Sequence, residues 1–171
     1  FYFMEINARI QVEHPVTELI TGVDLVKAQI RLAAGEDLWL RPEDVRPRGW
    51  AIECRINAED PQRNFRPSPG RIETYRPPGG FGVRLDTHMY TGYELPVFYD
   101  SLLGKLIAYD RTRTGAIRIM QRALREFEIG PIKTTLPFYL QIMDDPDFVK
   151  GIFDTGTVKR FLPDTEDELQ S

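Results

Sequence analysis

The 171 residues predict an α+β fold, with flanking helices set against a mainly antiparallel sheet. Three observations carry this. Trp50 to Asn57 alternates apolar and polar side chains, the period of a strand with one covered face. Residues 71–76, 82–86 and 104–109 read as further strands. Against them, Ile117, Met120, Leu124 and Phe127 recur at helical spacing, which places the strongest helix over 114–128 with Arg118, Arg122 and Arg125 outward.

Taken in order, the chain opens on a run whose even positions are apolar and whose odd positions are charged or carry amides. Extended, it puts Glu5, Asn7, Arg9, Gln11 and Glu13 on one face and turns Met4, Ile6, Ile10 and Val12 toward a core. A strand usually runs to about five or six residues, so the extended part is expected to end near Asn7 or Ala8. Phe1 to Met4 reads as the interior of a strand, as expected of a piece of something longer. After His14-Pro15, a short helix is predicted over 16–20, and Asp24 suits the start of a second that Gly35 stops.

Prolines and charges over 38–48 suggest a connector, giving a first unit over 1–45, a second over 46–162 and an acidic, disordered tail over 163–171. In the second unit Trp50, Ile52, Cys54 and Ile56 share the covered face of a strand, leaving Glu53, Arg55 and Asn57 on the other. Residues 60–70, with three prolines, read as a loop. The glycine-rich 77–82 lacks the Lys-Ser/Thr of a phosphate-binding loop and reads as a tight turn. Gly130-Pro131 is placed to end the long helix. Helical pieces follow at 136–143 and 147–151, the latter opened by Asp145-Pro146.

A net charge of −4 and a pI near 5.3 argue against a nucleic-acid surface, and no apolar run reaches membrane-spanning length. Cys54 is the only cysteine, which excludes an intrachain disulfide, suits a small core residue and fits a cytoplasmic setting. His14 and His88 lack the spacing of a zinc site.

Chemistry concentrates in Glu5 to Pro15. Glu5 and Asn7 offer two hard oxygen donors of the kind Mg²⁺ accepts beside substrate phosphates. Arg9 supplies a planar donor fork for a carboxylate or phosphate. Gln11 can donate or accept, and Glu13 could act as a general base. The plainer alternatives are a half-exposed strand with a solvated face, an Arg9–Glu13 structural ion pair, and a surface arginine at Arg55.

The run E-I-N-A-R-I-Q-V-E-H-P, followed in order by T-E-L-I-T-G-V-D-L-V, E-C-R-I-N-A-E-D-P, P-S-P-G, P-G-G-F-G-V-R, Y-D-S-L-L-G-K-L and G-P-I-K-T-T, resembles biotin carboxylase, the ATP-grasp component of biotin-dependent carboxylases. The resemblance covers Phe1 to about Phe161. It implies the C-terminal remnant of an ATP-grasp domain followed by a biotin carboxylase C-terminal domain. The implied activity is MgATP-dependent (or Mn²⁺-dependent) conversion of bicarbonate to carboxyphosphate and carboxylation of biotin N1, as in acetyl-CoA carboxylase and fatty acid synthesis.

The implied partners are a biotin carboxyl carrier protein or domain, a carboxyltransferase and a second copy of the chain. Carried over position by position, the resemblance makes Glu5 and Asn7 metal ligands and Arg9 the arginine near the anion. Gln11 and the Val12 N–H would hold bicarbonate, Glu13 would deprotonate it, and Arg55 would bind bicarbonate and stabilise the biotin enolate. Phe81 and Arg84 match a homodimer interface. The family's glycine-rich ATP lid has no counterpart here, so this chain alone is expected not to turn over ATP. The rival readings are a non-enzymatic docking or dimerisation module and a piece of another ATP-grasp ligase.

Overall fold

A computed structural model describes residues 2–162; the predicted acidic tail lies outside the described residues. Two helices come first, α1 (His14–Thr21) and α2 (Leu25–Ala33). They lead to the strands β1 (Trp50–Asn57), β2 (Glu59–Asp60), β3 (Arg66–Pro67), β4 (Gly70–Arg71), β5 (Thr74–Arg76), β6 (Val83–Thr87), β7 (Glu94–Leu95) and β8 (Leu102–Asp110). The chain then runs through α3 (Arg113–Glu126), β9 (Glu128–Gly130), α4 (Leu136–Asp144) and α5 (Pro146–Lys150).

The organising sheet has three antiparallel strands in the order β1-β8-β6. Its inner face carries Ile52, Cys54 and Ile56 of β1, Leu106 and Ala108 of β8, and Val83 and Leu85 of β6. Against it lies the apolar stripe of α3, with Met120, Ala123 and Leu124 buried as the helical spacing requires. Burial pushes the Cys54 thiol pKa upward, in keeping with a packing role rather than a nucleophile's.

Local chemistry sets the helix ends. Asp24 accepts from the Lys27 N–H at 2.8 Å, Thr112 caps α3 through Gly115, and Asp145 caps α5 through Phe148 at 2.8 Å. Gly82 sits at φ +80° where a β-carbon would come within 2.5 Å of the Tyr109 carbonyl oxygen, so the glycine-rich turn needs glycine there for two reasons.

Four expectations change. The opening alternation forms no strand among the described residues: Tyr2, Phe3, Met4 and Ile6 are exposed, Met4 at 90%. Among the described residues no strand takes up its backbone hydrogen bonds. Gly130-Pro131 does not end the long helix. Phe127 turns the chain extended to bury its ring edge-on against Tyr75, and residues 128–130 then pair with β5. The 60–70 loop contains the β2–β3 pair, and Trp50, at the open end of β1, stays half exposed.

The outer face of the sheet is covered by α1, and a single carboxylate fixes that docking. Glu18, with its side chain 8% exposed, accepts from Arg84 Nη1 at 2.7 Å and from the Leu25 N–H at 2.8 Å. Arg84 also grips Asp86 bidentately, with both bonds at 2.8 Å. Burial alone would raise the Glu18 pKa, but Arg84 and the Leu25 N–H outweigh it and hold the group below the usual carboxylate range.

Replacing Arg84 by Met is expected to destabilise the chain by about 2–4 kcal/mol, because a buried carboxylate loses its cation. Adding Glu18→Gln should recover at least about 1 kcal/mol of that loss in urea unfolding. Strictly additive effects of the two substitutions would show that the pair does not hold α1 in place.

Candidate active site

Six side chains form two rows across the outer face of the sheet. The pairing Glu53–Ile107–Arg84 makes one and Arg55–Lys105–Asp86 the other. Ile107 is fully buried beneath α1, and the charged groups surround it. The segment entering α1 therefore arrives beside Arg55. The Gln11 carbonyl accepts from the His14 N–H at 3.2 Å and the Glu13 carbonyl from the Val16 N–H at 3.1 Å, which turns the chain into the helix just before buried Pro15.

Glu13 is the helix N-cap, yet its carboxylate caps nothing. It reaches instead across 42 residues of sequence to accept from Arg55 Nη2 at 2.7 Å. Its own backbone N–H, then Arg55 and Arg9, hold its pKa below the usual carboxylate range, so it is ionised at neutral pH. The alternative of an Arg9–Glu13 ion pair is not what forms: Glu13 pairs with Arg55, while Arg9 Nη1 donates to the Ile10 carbonyl at 3.2 Å. Arg9, Gln11 and Glu13 line one cavity of about 500 Å³ whose apolar wall is built by α2 together with Leu38 and Leu40.

Of the remaining sequence-derived candidates, Val12 is held by its carbonyl, which accepts from Lys105 Nζ at 3.2 Å. Glu5 and Asn7 lie in the exposed opening segment, and the described residues contain no cluster of three or more His, Cys, Asp or Glu side chains suited to a metal. Two oxygen donors suit a Mg²⁺ that keeps waters and phosphate oxygens as its other ligands, and do not by themselves complete a site. Phe81 is 93% exposed on the glycine-rich turn, whereas Arg84 is drawn inward onto Glu18 and Asp86.

Sequence reasoning missed Glu53, Asp86 and Lys105. The signal was present for the last: a lysine inside the run Leu102–Tyr109, where β8 is covered on both faces, requires a partner. Glu53 has both carboxylate oxygens closed to water and bound to no donor among the described residues. Burial raises its pKa from 4.5 to about 7, against the opposing pull of Lys105 and Arg55.

The fold and site together define a class: a short helical unit, entered through a segment bearing Arg9, Gln11 and Glu13, docked on an antiparallel α+β domain. Residues 1–41 match the family described as the carbamoyl-phosphate synthase L chain, ATP binding domain. Residues 53–160 match the biotin carboxylase C-terminal domain, and the chain belongs to that family.

Biotin carboxylase 1 of Bacillus subtilis is 57% identical over 161 residues, 94% of this chain and 36% of that protein. A pyruvate carboxylase component from Methanothermobacter thermautotrophicus is 52% identical over 99% of this chain and 35% of its own length. Among solved structures, the biotin carboxylase domain dimer of Hydrogenobacter thermophilus 2-oxoglutarate carboxylase, in complex with MgADP, ADP and bicarbonate, superposes with a TM-score of 0.91 at 53% identity. That match covers 93% of this chain and 35% of the other. The chain thus spans about a third of the length of the relatives it matches.

Glu53 makes the site's stability pH-dependent in a defined direction. With its pKa raised to about 7 in the folded chain from 4.5, the folded state binds more protons than the unfolded one between those values. Stability from this group is therefore full below pH 4.5 and falls as pH rises through 7. Allowing for partial solvent screening, urea unfolding should show a loss of about 2 kcal/mol between pH 5 and pH 8 that Glu53→Gln lacks. Parallel pH curves for the two proteins would mean that Glu53 carries no such penalty.

Proposed function

We propose that this chain is the part of a biotin carboxylase that positions bicarbonate and biotin. The activity of the whole would be MgATP-dependent carboxylation of carrier-bound biotin through carboxyphosphate. The observation that carries this reading is the 2.7 Å pair between Glu13 of the opening segment and Arg55 of β1, which joins the base and the anion-binding arginine across the two matched families. A related structure that holds MgADP and bicarbonate supports the same ligands here.

In this reading Arg9, Gln11 and the Val12 N–H bind bicarbonate, and Arg55 turns from Glu13 toward the incoming anion. Glu13, released from one donor, then takes the bicarbonate proton. Fixed guanidinium groups act most strongly where negative charge develops, first on the carboxylating species and then on the biotin enolate beside Arg55. Glu5 and Asn7 would hold Mg²⁺, which screens the nucleotide phosphates. We place the junction of the two units at 45/46, as the matched ranges 1–41 and 53–160 favour.

The carrier is a biotin carboxyl carrier protein or domain, and a carboxyltransferase sets the final acceptor, acetyl-CoA for fatty acid synthesis being one option. Relatives named for pyruvate and 2-oxoglutarate show that this choice varies among proteins of this kind. No helix among the described residues is long and apolar enough to cross a membrane. A cytoplasmic location is part of the proposal, and recovery of the protein in an organelle fraction would overturn it.

In the full-length enzyme, Arg9→Ala, Glu13→Ala and Arg55→Ala should each lower biotin carboxylation by about 10²-fold or more. The KM for ATP and the melting temperature should stay near wild type, since Glu13 and Arg55 are half exposed and contribute little to stability. The 171-residue chain alone should release no phosphate from MgATP. Normal turnover by Glu13→Ala would remove it as the base.

We also propose that Phe81 and Arg84 lie at a homodimer interface, with the exposed Phe81 as its main anchor. Phe81→Ala should shift the full-length protein toward monomer in sedimentation at micromolar concentration, and an unchanged dimer mass would place the interface elsewhere.

A further inference from the structure

We infer that Lys105 is a positioning residue for the carboxylation chemistry: it ties the segment carrying the base to the strand pair carrying Arg55. The inference rests on the proposed function for its catalytic consequence, but its geometry stands apart from it. Lys105 lies on the central strand β8, directly opposite Arg55 on one side and Asp86 on the other. Its side chain is only 15% exposed.

Three groups meet the ammonium. The Val12 carbonyl accepts from it at 3.2 Å, His14 Nε2 lies at 3.2 Å, and Asp86 Oδ2 is at 3.7 Å. Lysine offers donors and no acceptor, so a hydrogen bond to His14 assigns the lone pair to Nε2 and the proton to Nδ1. That proton then faces Glu18 Oε1 at 3.3 Å. Lys105 thus holds the residues on both sides of Glu13, one by its backbone and the other by its ring.

A lysine serving only as a counter-ion would need only the carboxylates of Asp86 and Glu53. The closer contacts go to the catalytic segment, and they fix the height of Val12 and Glu13 above the sheet. Arg55 fixes only the end of the Glu13 side chain. Without Lys105 the base could keep its arginine while its backbone, and the Val12 N–H with it, moves away from the anion.

The test uses the full-length enzyme with Lys105→Met, which removes the donor, Lys105→Gln, which is too short to reach Val12, and Lys105→Arg, which keeps a donor of sufficient length. The Met and Gln variants should lose about tenfold to a hundredfold in kcat for biotin carboxylation, the range expected of a slightly misplaced reacting group, with the KM for ATP unchanged. Their amide hydrogen exchange should rise at least about tenfold over residues 12–14 and stay at wild-type levels in β1 and β8. The Arg variant should keep most of the turnover and the protection.

If the Met variant does not fold, the Gln variant carries the same comparison. Wild-type exchange over 12–14 in both would remove the tether. Increased exchange with wild-type kcat would remove its catalytic role. A wild-type enzyme without biotin-dependent carboxylation would overturn the proposed function instead, and the exchange measurement would still decide whether Lys105 holds the segment.

Discussion

The carboxylate of Glu18 is the group on which the arrangement of the opening helices over the sheet turns. Closed almost completely to solvent, it is tolerable only because Arg84 and the Leu25 N–H bind it. Those two bonds act in different directions. Arg84 fastens α1 to β6, while the Leu25 N–H fastens the start of α2 to α1. An apolar contact would have given α1 freedom to slide over the sheet, whereas a buried carboxylate has one position at which its donors are met. The segment that enters α1 inherits that position, and Glu13 reaches Arg55 as a result.

The sheet beneath makes the same use of paired charge. Only Ile107 lies fully buried at the centre of its outer face, and the positions around it are ionisable. Arg84 and Asp86 are matched bidentately, which raises the pKa of the arginine and lowers that of the aspartate. Lys105 extends this network toward the opening segment. Glu53 is the exception, a carboxylate with no donor among the described residues, and its cost is reduced by taking up a proton near neutrality.

How much of this was legible in the sequence follows from which forces are local. The α3 stripe and the caps at Asp24 and Asp145 depend on neighbours a few residues away, and they appeared where spacing placed them. The β1 alternation was equally plain because one face meets α3 and the other carries polar groups. The period-two run at the opening was misleading because alternation records which faces a strand would show, not whether a neighbouring strand is present to bind it. Lys105 was passed over because its partners, Val12 and His14, lie more than 90 residues away in sequence. Arg84 entered only through its match to a homodimer interface, and its internal partner Glu18, 66 residues distant, could not be read from spacing.

The Glu13–Arg55 pair has a further chemical meaning. A carboxylate held by an arginine is a poorer base than a free one, because the same interaction that keeps it ionised lowers its affinity for a proton. In the proposed reaction the remedy is competition: an anion that draws Arg55 away raises the basicity of Glu13 at the moment a proton must be removed. The pair would then keep the base in reserve until substrate arrives. Such a device works only if Glu13 stays in place when Arg55 leaves, so a second attachment through the backbone on either side of Glu13 is what the chemistry requires. The contacts of Lys105 with Val12 and His14 provide it without touching the carboxylate itself.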